Sequence, residues 1–352
     1  MEEVFFSVCI PQYNRTSFLV EALKVLSRQT FRDFEVCISD DASNDGRHEE
    51  LQAHLAASGL KYSYVRQKNG LRYDANIRAS IELAQGRYCL LHGNDDCLKG
   101  EDALEKLQRE IVRHDYPAVV IPNFEDWQSG IVTRRIRRSG LEGSGPEVAV
   151  AHYRNVAFVT GVLLDVGKAH ELTTEKWDGS EMYQMYLMAR MIAAGGQLLT
   201  LEESLVRKDI RIPGEEVDSY ARRPRLDPCP IIERTPPFVQ IGGLVADAIE
   251  PSLDSGNRDR VLRKLIAQLY LFTYPFWILE YRRVQSWRYA LGICLGIRPK
   301  NVFVGLSVNW LSGVQLRLLY IGACTAGLLV PVSLFNKAKP MLYRLAKSVR
   351  QA

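Results

Sequence analysis

Short apolar runs alternate with amphipathic segments along the first 122 residues, and this alternation constrains the fold more than any other feature. The apolar runs have the length and composition of strands, and the segments between them carry apolar residues at helical spacing. We expect strands over residues 5–10, 34–39, 61–67, 87–92 and 118–122, and helices over 16–29, 48–57, 74–84 and 101–114. Strands that alternate with helices form a mostly parallel sheet with helices on both faces. The sequence therefore predicts a Rossmann-like α/β fold.

The segments that follow the predicted strands are the candidate site, because ligands bind at the carboxyl ends of the strands in such sheets. These segments are 11–15, 40–45, 68–76 and 93–96. The carboxylates of Asp40 and Asp41 could accept hydrogen bonds from a nucleotide base or from ribose hydroxyls. A stretch rich in Asp, Asn, Ser and Gly is also typical of an ordinary polar turn, so this segment alone leaves both interpretations open.

Two adjacent carboxylates, Asp95 and Asp96, follow the fourth predicted strand. Mg²⁺ or Mn²⁺ typically binds a nucleotide diphosphate through one or two carboxylates and the phosphates, and then stabilises the departing diphosphate. An acidic first turn of a helix would have the same residues. The pair therefore indicates either a metal site or a helix start.

Five segments between Phe6 and Asp96 together resemble glycosyltransferase family 2. They are F-S-V-C-I-P-Q-Y-N-R at 6–15, S-R-Q-T-F-R-D-F-E at 27–35, S-D-D-A-S-N-D at 39–45, N-G-L with a later Asn at 69–76, and A-Q-G-R-Y-C-L-L-H-G-N-D-D at 84–96. The resemblance weakens beyond this block and covers about residues 5–214. It implies a GT-A fold and inverting transfer of a sugar from a nucleotide-sugar donor.

The resemblance also implies which residues bind the substrate and a divalent metal, Mn²⁺ or Mg²⁺. The nucleotide sugar would be bound by Pro11, Tyr13, Arg15, Asp40, Asp41, Asn76 and Asp95. Asp40 would contact the base with Asp41 beside it, Asp95 would approach the ribose or the metal, and Asp96 would hold the metal. Many relatives carry a further acid in this block, where His92, Gly93 and Asn94 stand in this chain.

Inverting transfer needs a general base that takes the proton of the acceptor hydroxyl. Relatives place an acidic pair at the start of a helix that ends near a glycine, and the matching positions here are Tyr183 and Gln184. Glu181, one helical turn earlier, is the first candidate for the base and Asp178 is the second. Glu181 could instead simply begin a helix over residues 181–194.

Charge divides the chain unevenly and suggests three parts. From Arg260 onward there are 14 Lys or Arg and one acid, a net charge of +13, whereas the preceding residues carry 31 bases and 40 acids, a net charge of −9. We expect a GT-A catalytic domain at 1–212, a linker with seven prolines at 213–259, and a basic, apolar helical region at 260–352. Residues 318–335 carry no charge, and the length of this segment is at the lower limit for a membrane span.

The basic region has many aromatic residues beside its apolar helices, a composition suited to lipid headgroups. We expect it to attach peripherally to an anionic membrane surface, with one membrane span or a soluble helical subdomain as the alternatives. A polyprenyl-linked glycan acceptor on the cytoplasmic leaflet of the plasma membrane would explain the attachment. The seven scattered cysteines and the absence of a basic, apolar leader predict a cytoplasmic catalytic domain.

Two other classes of function fit parts of the sequence. A nucleotidyltransferase of α/β fold also places acids after strands, but it needs a Gly-rich, basic loop after its first strand, where this chain has Pro11-Gln-Tyr-Asn. A nucleic-acid-binding protein could use the basic tail, but that tail is too apolar for a solvated arm and contains no known binding motif. We therefore expect no nucleic acid partner.

Overall fold

The structure is a computed structural model that describes residues 4–215, 237–284, 286–303, 310–338 and 341. It divides into two compact units. The first contains residues 1–148 and 153–222, and the second contains residues 149–152 and 223–352.

The first unit contains all ten described strands and the helices that cover them. The strands are β1 (Phe6–Gln12), β2 (Phe34–Asp40), β3 (Tyr62–Arg66), β4 (Tyr88–Leu91), β5 (Cys97–Leu98), β6 (Val119–Asp126), β7 (Val132–Thr133), β8 (Gly140–Gly143), β9 (Val162–Asp165) and β10 (Leu198–Lys208). The helices up to β10 are α1 (Thr16–Ser27), α2 (His48–Ala57), α3 (Arg72–Glu82), α4 (Ala103–Arg113), α5 (Pro146–His152), α6 (Val166–Glu171) and α7 (Tyr183–Ala193). Residues 149–152 of α5 belong to the second unit.

The ten strands form one mixed sheet with the order β3-β2-β1-β4-β9-β6-β10-β5, in which β7 also pairs with β6 and β8 with β10. The pairs β3–β2, β2–β1, β1–β4 and β6–β10 are parallel, whereas β9 runs antiparallel to both of its neighbours. The predicted α/β fold with helices on both faces of the sheet is confirmed. The sequence interpretation did not include β9 or β10, which complete the sheet on the side away from β3.

The central strands are buried along their whole length because helices cover both faces of the sheet. All seven residues of β2 are buried, as are six of the seven in β1. Leu19, Leu23 and Leu26 of α1 pack into this core at the spacing of one helical face. Each such side chain contributes about 1.5–3 kcal/mol to folding. Burial on both faces explains why these strands are almost continuously apolar.

The second unit is helical, which confirms the prediction of a helical C-terminal region. Its helices are α8 (Ile241–Ile249), α9 (Arg258–Gln268), α10 (Tyr274–Val284), α11 (Trp287–Gly296), α12 (Pro299–Val302) and α13 (Trp310–Leu329), and a π-helical stretch at Leu269–Thr273 joins α9 to α10. Among the described residues, α13 alone is long and apolar enough to cross a membrane. It overlaps the predicted uncharged segment 318–335 up to Leu329, but it begins earlier, at Trp310, and ends before Pro331.

The proposed linker at 213–259 falls partly outside the described residues, from 216 to 236. Its described end contains α8, whose residues Leu244, Val245 and Ala248 are fully buried. The division into 1–212, 213–259 and 260–352 stays a prediction.

Candidate active site

The turn after β1 presents Arg15 and contains two consecutive residues in the left-handed backbone region, Asn14 at φ 52° and Arg15 at φ 57°. Residues with a β-carbon adopt this region at a cost, so neighbouring groups must hold the turn. Buried Gln12 donates from Nε2 to the carbonyl oxygen of Asn14 at 2.7 Å, and Asn94 donates to the Gln12 amide oxygen at 2.8 Å. The side chain of Tyr13 is left exposed.

The carboxylates after β2 organise the neighbouring loops. Asp40 accepts a hydrogen bond from the Tyr64 hydroxyl at 2.5 Å and one from the backbone N–H of Ser43 at 2.8 Å. Asp41 accepts from the backbone N–H groups of Leu71 and Arg72, the latter at 3.0 Å, and so fixes the start of α3. Both carboxylates therefore order the turn and the helix start at this edge of the sheet.

Asn76 lies on α3 and faces the end of β1. Its side-chain nitrogen donates to the carbonyl oxygen of Gln12 at 3.1 Å. Its amide oxygen is buried and has no hydrogen-bond partner within the described part of the chain. An unused buried acceptor beside the segments predicted to bind a nucleotide is available to a hydroxyl or an N–H group of a ligand.

The two carboxylates after β4 have different surroundings. Asp95 forms an ion pair with Arg15, which joins the end of β4 to the turn after β1. Asp96 is buried and accepts hydrogen bonds from the Thr160 hydroxyl and, at 3.0 Å, from the backbone N–H of Asp209. Burial, followed by the charge of Asp95, raises the pKa of Asp96 to about 8. Burial also raises the pKa of Asp95, although the Arg15 charge opposes that shift.

Oxygen atoms converge on a small space above Gly93. A side-chain carbon added at Gly93 would lie 2.7 Å from Asp96 Oδ2, 3.0 Å from Thr160 Oγ1 and 3.3 Å from Asp95 Oδ1. The described residues contain no group of three His, Cys, Asp or Glu side chains that could hold a metal ion by themselves. Hard oxygen ligands of this kind suit Mg²⁺ or Mn²⁺, which commonly share their coordination with substrate phosphates. The residues thus fit a cation that is also bound by a diphosphate.

The candidate bases lie in a loop that α3 holds in place. Asp178 forms two hydrogen bonds with the Arg78 guanidinium, at 2.6 and 2.9 Å. Glu181 has a left-handed backbone with φ 56°, and its backbone N–H donates to Asp74 at 2.7 Å. Asp74 is buried and also accepts from the N–H of Tyr183 at 3.0 Å, so it caps α7 from outside that helix.

Helix α7 therefore begins at Tyr183, two residues later than the predicted helix over 181–194. Glu181 lies in the turn before the helix, because the left-handed conformation does not continue into a right-handed helix. The interpretation of Glu181 as the first helical residue is wrong, whereas its role as the base is untested.

The structure gathers the predicted binding residues at one edge of the sheet, around the carboxyl ends of β1, β2 and β4. They are Pro11, Tyr13, Arg15, Asp40, Asp41, Asn76, Asp95 and Asp96. Their roles in binding stay predictions.

Three residues that contact this edge were not found from the sequence. They are Tyr64, Thr160 and Asp209, which contact Asp40 or Asp96. Thr160 precedes β9 and Asp209 follows β10, so they could be found only with the pairing of those strands. The sole feature of the local sequence that pointed to one of them was Asp209, an acid among the basic residues Arg207, Lys208 and Arg211.

Comparison with known proteins identifies a family for the part of the chain that forms this edge of the sheet. Residues 7–162 match the family model described as glycosyl transferase family 2. This part of the chain belongs to that family. The family 2 segment contains Arg15, Asp40, Asp95 and Asp96, whereas the loop of Glu181 follows it.

Curated relatives with this family segment include sugar transferases. The chain is 40% identical over 107 residues to abequosyltransferase RfbV of Salmonella typhimurium, across 30% of this chain and 32% of the relative. It is 33% identical over 113 residues to amylovoran biosynthesis glycosyltransferase AmsB of Erwinia amylovora, across 32% of this chain and 36% of the relative. The matched segments thus span only about a third of each of these relatives.

Solved structures share the fold over a longer stretch. The structure of residues 1–349 of S. aureus TarS in complex with UDP-GlcNAc aligns with a TM-score of 0.65 at 15% identity, covering 98% of this chain and 90% of that one. Mannosyltransferase PcManGT from Pyrobaculum calidifontis, in complex with GDP-Man and Mn²⁺, aligns with a TM-score of 0.52 at 15% identity, covering 99% and 87%. The family 2 segment therefore lies within a GT-A fold.

Proposed function

We propose that the protein is an inverting glycosyltransferase. It would move a sugar from a nucleotide-sugar donor to a hydroxyl of a growing, lipid-linked, cell-surface glycan of the O-antigen, capsule or exopolysaccharide type. The observation that carries the proposal is the ion pair between Arg15 and Asp95, because it joins the ends of β1 and β4 beside buried Asp96. The family 2 segment and the sugar-transferring relatives support the same activity.

The nucleotide sugar would bind across the ends of β1 and β2. Asp40 would accept a hydrogen bond from the base, since the Tyr64 hydroxyl and the Ser43 N–H hold its carboxylate in one orientation. Exposed Tyr13 would offer an aromatic face to the nucleotide. The free amide oxygen of Asn76 would accept from the nucleotide sugar, and Arg15 would attract the diphosphate.

A divalent cation, Mn²⁺ or Mg²⁺, would be held by Asp95 and Asp96, the two carboxylates that face the space above Gly93. When bound, it would supply positive charge to the departing diphosphate. Loss of a proton from Asp96, whose pKa lies near 8, would accompany cation binding because a ligating carboxylate is ionised. The Mn²⁺ in the PcManGT complex supports this assignment for the fold.

Glu181 would be the general base and Asp178 the second candidate. Arg78 donates to both carboxylate oxygens of Asp178, so that carboxylate is already engaged within the protein. Asp74 fixes the Glu181 backbone through a partly buried hydrogen bond, so the base would sit on a rigid turn. This rigidity favours Glu181.

The second unit would attach the protein peripherally to the cytoplasmic face of the plasma membrane. Helix α13 leaves a face of apolar side chains exposed, including Leu318 at 64% and Ile321 at 56%. The region from Arg260 onward carries a net charge of +13, which an anionic membrane surface would attract. A lipid-linked acceptor would then be held beside the enzyme.

Calorimetric binding of UDP, GDP, CDP and dTDP, each with and without Mn²⁺, tests the donor site. We expect one nucleotide to bind in a metal-dependent way to the wild type and at least about tenfold more weakly to Asp95→Asn, because that variant loses a charge-assisted contact. Asp102→Asn is the matched control, since the half-exposed side chain of Asp102 lies at the start of α4, outside the site residues. If no nucleotide binds the wild type, the proposal is wrong.

A further inference from the structure

The hairpin between β6 and β7 exposes a cluster of apolar side chains. Ile131 is 68% exposed, Val132 40% and Trp127 37%. The turn is ordered: the Asp126 carboxylate accepts from the N–H and the hydroxyl of Ser129, both at 2.8 Å, and the Asp126 N–H donates to the Ile131 carbonyl at 3.0 Å. The apolar side chains are therefore held outward by a fixed turn.

Three exposed arginines follow this tip directly. They are Arg134, Arg137 and Arg138. Arg135 between them differs, because it is buried and donates to backbone carbonyl groups of Pro122, Asn155, Phe158 and Thr160. Arg135 thus anchors the segment, whereas Arg134, Arg137 and Arg138 remain exposed to solvent. This basic patch is local, since the chain before Arg260 carries a net charge of −9.

Exposed aromatic and aliphatic side chains bordered by arginines match the two layers of a membrane surface. The apolar groups enter the boundary between headgroups and acyl chains, and the guanidinium groups contact lipid phosphates. Trp127 combines an apolar ring with a neighbouring cation, because the Arg207 guanidinium lies 5.7 Å from its ring centroid.

We propose that the tip at residues 127–132, with Arg134 and Arg137, is a membrane-contact element of the catalytic unit that binds an anionic lipid surface. It is separate in sequence from the basic C-terminal region.

The hairpin is connected to the candidate site through β10. The backbone N–H of Trp127 donates to the Lys208 carbonyl at 3.0 Å, and the next residue, Asp209, donates its N–H to Asp96 at 3.0 Å. A membrane contact at the tip would thus hold the site close to the lipid surface. This consequence rests on the proposed transfer to a lipid-linked acceptor, whereas the membrane contact itself does not.

Vesicle sedimentation with the full chain tests the proposal. The probes are phosphatidylcholine vesicles with and without phosphatidylglycerol at about a third of the lipid. We expect the wild type to bind the anionic vesicles, and Ile131→Asp and the double variant Arg134→Glu, Arg137→Glu each to bind about tenfold more weakly or worse. The matched control is Arg109→Glu, Arg113→Glu, which makes the same charge change at exposed positions of α4 and should bind within about twofold of the wild type.

Wild-type binding by both hairpin variants would overturn the proposal, as would a wild type that does not bind anionic vesicles. Calorimetry with the nucleoside diphosphates on the same preparations separates this result from the transferase proposal. The hairpin variants should keep wild-type nucleotide binding, which also shows that they are folded. A wild type that binds vesicles but no nucleotide would count against the transferase alone.

Discussion

At the scale of single residues, Gly93 and Asp96 show how closely the site is packed. The carboxylate of Asp96, the hydroxyl of Thr160 and the carboxylate of Asp95 all approach the position that a β-carbon of residue 93 would occupy. The sequence predicted the two acids, but it could not show that glycine is needed beside them. That requirement depends on Thr160, which reaches the site from 64 residues further along the chain.

Substitution of Gly93 by alanine should impair the site. The added carbon would lie 2.7 Å from Asp96 Oδ2, so the carboxylate must move, and we expect nucleotide binding with Mn²⁺ to weaken about tenfold or more. Gly167→Ala is the control, because Gly167 is exposed on α6, outside the site residues, and its added carbon would be 3.5 Å from the nearest atom, Asp165 Oδ1. Calorimetry on both variants makes the comparison, and equal affinities would refute the packing argument.

His92 should make the stability of the protein sensitive to acid. Burial lowers the pKa of His92 to about 4, below its usual 6.5, so the unfolded chain takes up the proton first as the pH falls. The free energy of unfolding therefore has its full contribution from neutral His92 above pH 6.5 and loses it as the pH falls toward 4. About 2 kcal/mol is lost by pH 5.

Urea denaturation near pH 7.5 and near pH 5 measures this loss in the wild type, His92→Gln and the control His54→Gln. His92→Gln should lose about 2 kcal/mol less stability between the two pH values than the wild type does. His54→Gln should follow the wild type. Identical pH dependence in all three proteins would show that His92 is not a buried neutral group.

At the scale of elements, α3 connects the two halves of the candidate site. Asn76 contacts the end of β1, whereas Asp74 and Arg78 hold the loop that contains Glu181 and Asp178. The apolar spacing of the sequence predicted a helix over 74–84, and the resemblance to family 2 placed Asn76 in the site. The sequence did not predict the role of Asp74, because the N–H groups that donate hydrogen bonds to Asp74 belong to residues more than 100 positions away.

Asp74→Ala should destabilise the protein and loosen the loop. Removal of the carboxylate leaves the N–H groups of Glu181 and Tyr183 without their acceptor, at a cost of about 2–3 kcal/mol. Asp165→Ala is the control, because Asp165 caps α6 through one N–H at an exposed position and its loss should cost about 1 kcal/mol. Urea denaturation at neutral pH measures both, and a smaller loss for Asp74→Ala than for Asp165→Ala would contradict this role.

The five predicted strands and four of the helices before residue 122 were found because their apolar spacing is local. β9 and β10 were missed for different reasons. β9 has only four residues, too few for a clear apolar pattern, and β10 interrupts its apolar pattern with Glu202 and Glu203, where the register shifts. Their antiparallel and parallel pairings depend on contacts between distant parts of the chain.

At the scale of the whole molecule, the charge asymmetry and the apolar surfaces support the same proposal, a transferase working at a membrane. The sequence alone predicted the basic, apolar C-terminal region. It could not predict which helix face is exposed, because the buried positions of α13, such as Leu316 and Ala323, are as apolar as the exposed ones.

The exposed face of α13 should contribute to membrane binding. Replacement of Leu318 and Ile321 by aspartate removes apolar area and adds negative charge, so the full chain should bind anionic vesicles about tenfold more weakly or worse. The double variant Gln315→Asp, Thr325→Asp is the control, because it adds the same two charges at exposed positions of the same helix without removing a large apolar side chain. Vesicle binding that both variants lose equally would assign the attraction to charge alone.

The central claim, that the protein transfers a sugar from a nucleotide sugar, is tested most directly by the release of nucleoside diphosphate. The full chain is incubated with a panel of nucleotide sugars, Mn²⁺ and bacterial membrane extract as the source of acceptor. We predict that one nucleotide sugar releases its nucleoside diphosphate, that Asp95→Asn loses at least about nine-tenths of this release, and that Asp102→Asn keeps it. No nucleoside diphosphate from any nucleotide sugar, together with release of pyrophosphate from a nucleoside triphosphate and a sugar phosphate, would contradict the claim and establish a nucleotidyltransferase.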